Sequence, residues 1–198
     1  MTGAERKKQI VAVTEAIVAK HGVQGATTAR IAQAAGVSEK TLYLHFSSRR
    51  EMLIAALDDV FNRASNVFRQ SSGSNAVERL REAVQRHWPS ESEFVYPLFE
   101  FFAAPPEAGL RGELRIRHQD NIDALSAMVE EGKSQGVIRP EVDSVQTAWE
   151  LLSIYWAEDV AYLIGFEEFA TTGRSALMLE RILRDISSEP QQPGVAGG

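Results

Sequence analysis

Residues 27–46 read TTARIAQAAGVSEKTLYLHF, and this stretch decides the architecture of the 198-residue chain. Thr27 or Thr28 offers a hydroxyl to the orphan N–H groups of a helix start, and Ile31, Ala34 and Ala35 then share one face at i, i+3 and i+4. Gly36 stands where a helix end needs a left-handed residue, Val37 is an apolar plug, and Ser38 is placed to cap the next helix. In that second helix Leu42 and Phe46 turn inward four residues apart, which leaves Glu39, Lys40, Thr41, Tyr43, Leu44 and His45 outside. The small residues Ala32, Ala34 and Ala35 let the two helices cross closely. The outer face of the second has the length and polarity to enter a major groove.

The ordered pattern A-T-T-x-x-I-A-x-x-A-G-V-S-x-x-T-L-Y-x-H-F-x-S-R-x-E-M-L resembles the signature of the TetR (tetracycline-repressor) family of bacterial transcriptional regulators, with the likeness running from about Glu5 to Leu57. The residue after the capping serine is often basic in that family and the next is often glycine. Glu39 and Lys40 stand there instead, a departure that bears on base preference rather than on DNA binding.

The resemblance implies an all-α fold of about nine helices: a three-helix helix-turn-helix DNA-binding head in residues 1–47 and a larger helical ligand-binding and dimerisation body in residues 48–187. The last residues, 188–198, lack apolar periodicity and predict a weakly structured tail. The implied function is a ligand-responsive regulator, a repressor in the first instance. It would sit as a homodimer on a near-palindromic double-stranded DNA operator and leave when a small, largely apolar effector binds the body.

Charge is divided along the chain in a way that suits this reading. The net value of −6 conceals eight basic against three acidic residues in positions 1–50, and 13 basic against 24 acidic in the remainder. A basic head is drawn to phosphates while an acidic body is repelled, so the approach to DNA is oriented as well as favoured. With no cysteine, disulfides, thiolate metal sites and cysteine nucleophiles are excluded. No run of 18 uncharged apolar residues predicts a membrane span, and the start, MTGAERKKQIVAVTEA, has no apolar h-region, which predicts a cytoplasmic location. The four histidines are scattered singly, and no nucleophile elbow, phosphate-binding glycine loop or His-Glu-x-x-His is present. Neither catalytic residues, nor a metal, nor a cofactor is expected, against the alternative of an enzyme or ligand carrier with a vestigial head.

Apolar periodicity places a first helix on Ile10, Val13 and Ile17 that ends at His21-Gly22, and a long helix from Ser47 or Ser48 to about Gln70. Further helices are expected near 76–87, 93–103, 108–132, 142–165 and 175–187, separated by Pro- and Gly-containing turns. Candidate DNA contacts are Thr27, Thr28, Arg30, Ser38, Glu39, Lys40, Thr41, Tyr43, Leu44, His45, Arg49 and Arg50. Lys40 meets either a base edge or a phosphate. Tyr43 and His45 resemble family positions that bond phosphates, although the Tyr43 ring can also pack on the preceding helix. Positive charge at the start of the long helix is unfavourable for the helix itself, which favours a phosphate for Arg49 and Arg50.

For the effector, the aromatic-rich body offers Trp88, Phe94, Phe99, Phe102, Tyr155 and Tyr162, and polar residues interrupt apolar helices at His118, Asn121, Glu158 and Asp159. Of the last two, one is expected to face solvent and the other to face inward. Most of the aromatics serve the core. The two final long helices resemble the pair that forms a four-helix dimer interface in the family, with Val145, Trp149, Leu152 and Trp156 on one and Leu177, Ile182, Leu183 and Ile186 on the other.

Overall fold

Helix starts in this chain are written in short polar side chains. In the computed structural model, which describes residues 1–69, 71–87, 92–166 and 168–188, Thr2 forms a capping box with Glu5 and opens α1 (Gly3–Gly25). Thr27 accepts from the Arg30 N–H to open α2 (Thr28–Ala35), and Ser38 accepts from the Thr41 N–H to open α3 (Glu39–Tyr43). Ser48 accepts from the Glu51 N–H at the head of α4 (Arg49–Arg69). Asn75 does the same for α5 (Ala76–His87), and Asp143 accepts from two N–H groups at the start of α8 (Ser144–Leu163). Between them lie α6 (Ser92–Phe102), a 3₁₀ turn over Pro106–Ala108 and α7 (Arg111–Ser134), and the chain ends in α9 (Glu168–Thr171) and α10 (Arg174–Ile186). Among the described residues the only strand-like pairing is a bridge between Ile138 and Ser187, so the all-α expectation holds. α1 runs past the expected stop at His21-Gly22, with a kink at Gly22, and α9 is one turn that no periodicity announces.

The chain divides into two compact units. The first takes in α1–α3, most of α4, α6, the 3₁₀ turn and the start of α7; the second takes in α5, the remainder of α7 and α8–α10. In the first, Ile10, Ile17, Val18, Ile31, Leu42, Phe46, Met52, Leu53 and Leu57 are buried, and α1 packs on α2 and on α6. In the second, α8 packs on α5 and α10 around Leu80, Ile122, Leu125, Val129, Leu151, Ile154, Leu179 and Leu183. The backbone comes closest at Gly132: a Cβ there would stand 2.7 Å from Ile138 Cγ1 and 3.1 Å from Ala76 Cβ, so only a glycine admits the isoleucine into α7.

Candidate nucleic-acid interface

The α2–α3 turn is built from local bonds. Gly36 is left-handed (φ 65°, ψ 34°), and its N–H and that of Val37 close the end of α2 on Gln33 O and Ala32 O. Two residues later the Ser38 hydroxyl caps α3 and lies 2.9 Å from the Thr41 hydroxyl. Leu42 and Phe46 are buried, which fixes the rotation of α3 and leaves Glu39, Lys40, Tyr43 and Leu44 exposed, with Thr41 and His45 half-buried. Leu44 is 75% exposed, an apolar side chain standing in water beside charged neighbours. Regular α-helix ends at Tyr43, so this reading surface is a little over one turn long, followed by a bend that carries Leu44 and His45. Thr27 is exposed, Thr28 is half-buried, and the Arg30 guanidinium donates to Gly25 O at 2.7 Å across the α1–α2 corner.

The two arginines at the start of α4 are placed differently from the surface residues of α3. Arg49 donates through Nε to Ala26 O at 2.6 Å and also to Val23 O, and Arg50 donates to Gly109 O and pairs with Glu113 at 3.2 Å. Those acceptors explain why positive charge is tolerated at a helix N-terminus without invoking a phosphate. One cation that the sequence pattern did not single out lies nearby: the Lys7 ammonium sits 5.0 Å from the centre of the Phe46 ring, which holds it against the end of the α3 segment. Lys7 lies outside the motif, and only its apposition to Phe46 in the fold brings it there. Lys7 and Lys8 also line an open groove of about 450 Å³ between α1 and α4, opposite Asp58 and Asp59.

The residues expected to meet an effector fall in both units. In the first, Phe94 is buried, Asn121 is half-buried, and Phe99, Phe102 and His118 gather with Phe61 of α4. The His118 ring lies 5.3 Å from Phe61, edge to face, and 5.2 Å from Phe102. Desolvation among these rings lowers the imidazole pKa, so the neutral form is favoured. Phe61 was assigned to the core stripe of α4 and carried no sign of this partnership. In the second unit Tyr155, Glu158 and Asp159 are buried and Tyr162 is half-buried. Both carboxylates therefore lie inside, where one was expected to face solvent, because α8 is covered over a broad arc by α5 and α10. Trp88 lies outside the described residues.

The apolar stripes on α8 and α10 are likewise rearranged. Val145, Trp149 and Trp156 are exposed, with the two indoles 6.0 Å apart edge to face, and Leu177 is 71% exposed. Leu152, Leu183 and Ile186 instead belong to the core of their own unit, and Ile182 packs against it. Leu177 and Leu183 are six residues apart, which puts them about 120° away from each other around a helix and excludes a shared face. The free apolar surface is completed by Val160, Ile164 and Met178, none of which the pattern singled out.

This geometry meets its parallels in known proteins. Residues 10–56 match the model of bacterial regulatory proteins, tetR family. The chain is 27% identical to the HTH-type transcriptional repressor KstR of Rhodococcus jostii, over 94% of this chain and 87% of the relative. Its fold superposes on that of a Rhodococcus sp. chain assigned to the TetR family with a TM-score of 0.78 at 24% identity, over 93% of this chain and 100% of that one. It also superposes on the transcriptional regulator FadR from Bacillus subtilis in complex with stearoyl-CoA, with a TM-score of 0.73 at 18% identity, over 90% of this chain and 98% of that one. A glycine-turned helix pair with a capped, outward-facing second helix, on an all-α fold of this kind, identifies the chain as a member of the TetR family, a DNA-binding transcriptional regulator and not an enzyme.

Proposed function

We propose that the protein is a homodimeric cytoplasmic repressor that reads a near-palindromic operator through α3 and leaves it when a largely apolar effector binds. In this reading residues 1–47 form the DNA-binding head and residues 48–187 the ligand-binding and dimerisation part. The observation that carries the proposal is the exposed face of Glu39, Lys40, Tyr43 and Leu44, held in place by the buried Leu42 and Phe46 and by the Ser38 cap. Lys40 and Glu39 supply a donor and an acceptor for base edges, Leu44 an apolar contact for a thymine methyl, and Tyr43 and Thr27 hydroxyls for phosphates. The aromatic cluster around His118 supports an apolar effector, and the stearoyl-CoA bound to FadR makes a fatty acyl-CoA thioester the first candidate.

Electrophoretic mobility shift with the DNA upstream of the chain's own gene tests the first half. A specific shift that weakens steeply with salt is expected; its absence at concentrations that saturate nonspecific DNA removes the regulator reading. Addition of stearoyl-CoA, with free coenzyme A as the control, then tests the effector class by release of the bound fragment. Within the interface, Tyr43→Phe should weaken binding to every sequence alike, whereas Lys40→Ala should change the ranking of operator variants by about 1–3 kcal/mol at one position. Equal losses on all sequences for Lys40→Ala would make it a phosphate contact only.

A further inference from the structure

The first turn of α4 sends two consecutive arginines in different directions. Arg49 is bonded to the carbonyls of Val23 and Ala26 at the α1–α2 corner, so this turn is tied to the helices that carry the reading surface. Arg50 goes the other way, donating through Nε and an Nη to Gly109 O at 3.3 and 3.1 Å and pairing with Glu113 in the first turn of α7. Glu113 is shared, because its second oxygen accepts from Arg117 at 3.0 Å. Arg117 in turn reaches back to Asp58, two turns farther along α4, through Nε at 2.6 Å and through its second Nη.

The order Arg50, Glu113, Arg117, Asp58 therefore alternates in sign and stitches α4 to α7 at two heights. A single exposed ion pair contributes little to stability. This ladder differs because Arg117 is central to it: its side chain is only 14% exposed and it serves two carboxylates, so removing any one member leaves the others imperfectly matched in a partly desolvated place. The hydrogen bond from Arg117, reinforced by Arg50, holds the Glu113 carboxyl below its ordinary pKa, so the ladder stays ionised at neutral pH.

We infer that this ladder is the lock that sets the tilt of α4 against α7, and that through Arg49 the same turn passes the position of α7 to the reading face of α3. Its effect on operator binding rests on the DNA-reading role of α3; its effect on the position of α3 does not. The absence of cysteine makes the test direct. Spin labels at Gln33→Cys on α2 and Ile116→Cys on α7, both exposed positions, report the distance between α2 and α7 by pulsed electron paramagnetic resonance in chains diluted with unlabelled protein.

One narrow distance is expected for the parent, and a broadened or displaced distribution for Glu113→Gln and for Asp58→Asn, with helical circular dichroism confirming that each variant is folded. Affinity for the DNA fragment recovered by mobility shift should fall roughly threefold to thirtyfold in the same variants. Unchanged distances in both folded variants overturn the lock, whatever happens to binding. Displaced distances with binding unchanged overturn the passage from α7 to α3. If Arg50→Met weakens binding while Glu113→Gln does not, Arg50 is a phosphate contact and the inference fails. Should no DNA fragment be recovered at all, the distance measurement still decides the lock.

Discussion

His118 shows how one side chain can be legible in type and illegible in setting. Its position as a polar interruption of an apolar pattern marked it, and Phe99 and Phe102 were marked as nearby aromatics, but Phe61 comes from 57 residues earlier and was indistinguishable from any other core position of α4. Burial against these rings lowers the imidazole pKa, so the folded chain binds this proton less readily than the unfolded chain does. Stability is then complete above the ordinary imidazole pKa of about 6.5 and is lost as the pH falls below it toward the lowered value. The urea midpoint should accordingly drop between about pH 7 and pH 5, and His118→Phe should remove that part of the slope while leaving the slope from carboxylates at lower pH. An identical slope in the variant over this window would show that the imidazole has no part in it. Arg49 is the opposite case: its charge was plain, but its carbonyl partners, 23 and 26 residues away, could not be seen until the α1–α2 corner was folded.

At the level of elements, the α2–α3 pair was almost fully readable, because its stabilising bonds span three or four residues. Thr27 to Arg30, Ser38 to Thr41 and the left-handed Gly36 all follow from local spacing. The shortness of α3 did not, since Phe46 keeps the helical spacing after regular hydrogen bonding has stopped at Tyr43. A helix of five residues has no stability of its own and depends on its cap and its buried leucine. Ser38→Ala should therefore destabilise the chain by about 1 kcal/mol, and Gly36→Ala by about 1–2 kcal/mol although nothing stands within 4 Å of the added methyl, because the cost is backbone strain. Chemical denaturation measures both, and Gly36→Asn should cost less than Gly36→Ala. If alanine and asparagine were equivalent at position 36, the strain argument would be wrong.

For the molecule as a whole, the difficulty was deciding which apolar face belongs to which partner. α8 carries Leu151, Ile154 and Tyr155 inward and Val145, Trp149, Trp156 and Val160 outward, so it is apolar on most of its circumference and periodicity alone cannot separate core from contact surface. Leu152 lies at the boundary and was assigned outward. With Leu177 and Met178 of α10, the outward set is larger than scattered exposed residues require, which is why a second copy is the expected partner. Trp149→Glu should halve the mass seen by light scattering without loss of helix content; an unchanged mass would place the contact elsewhere. The seat of Ile138 against Gly132 bears on how α7 is able to move. A residue-by-residue slip of α7 past Ile138 would bring Glu131 or Lys133 to a place where there is no room even for a methyl group. The C-terminal end of α7 is thereby pinned along its axis, and displacement of this helix takes the form of a swing about Gly132, as a rod turns on its fulcrum, with the largest excursion at the end farthest from it.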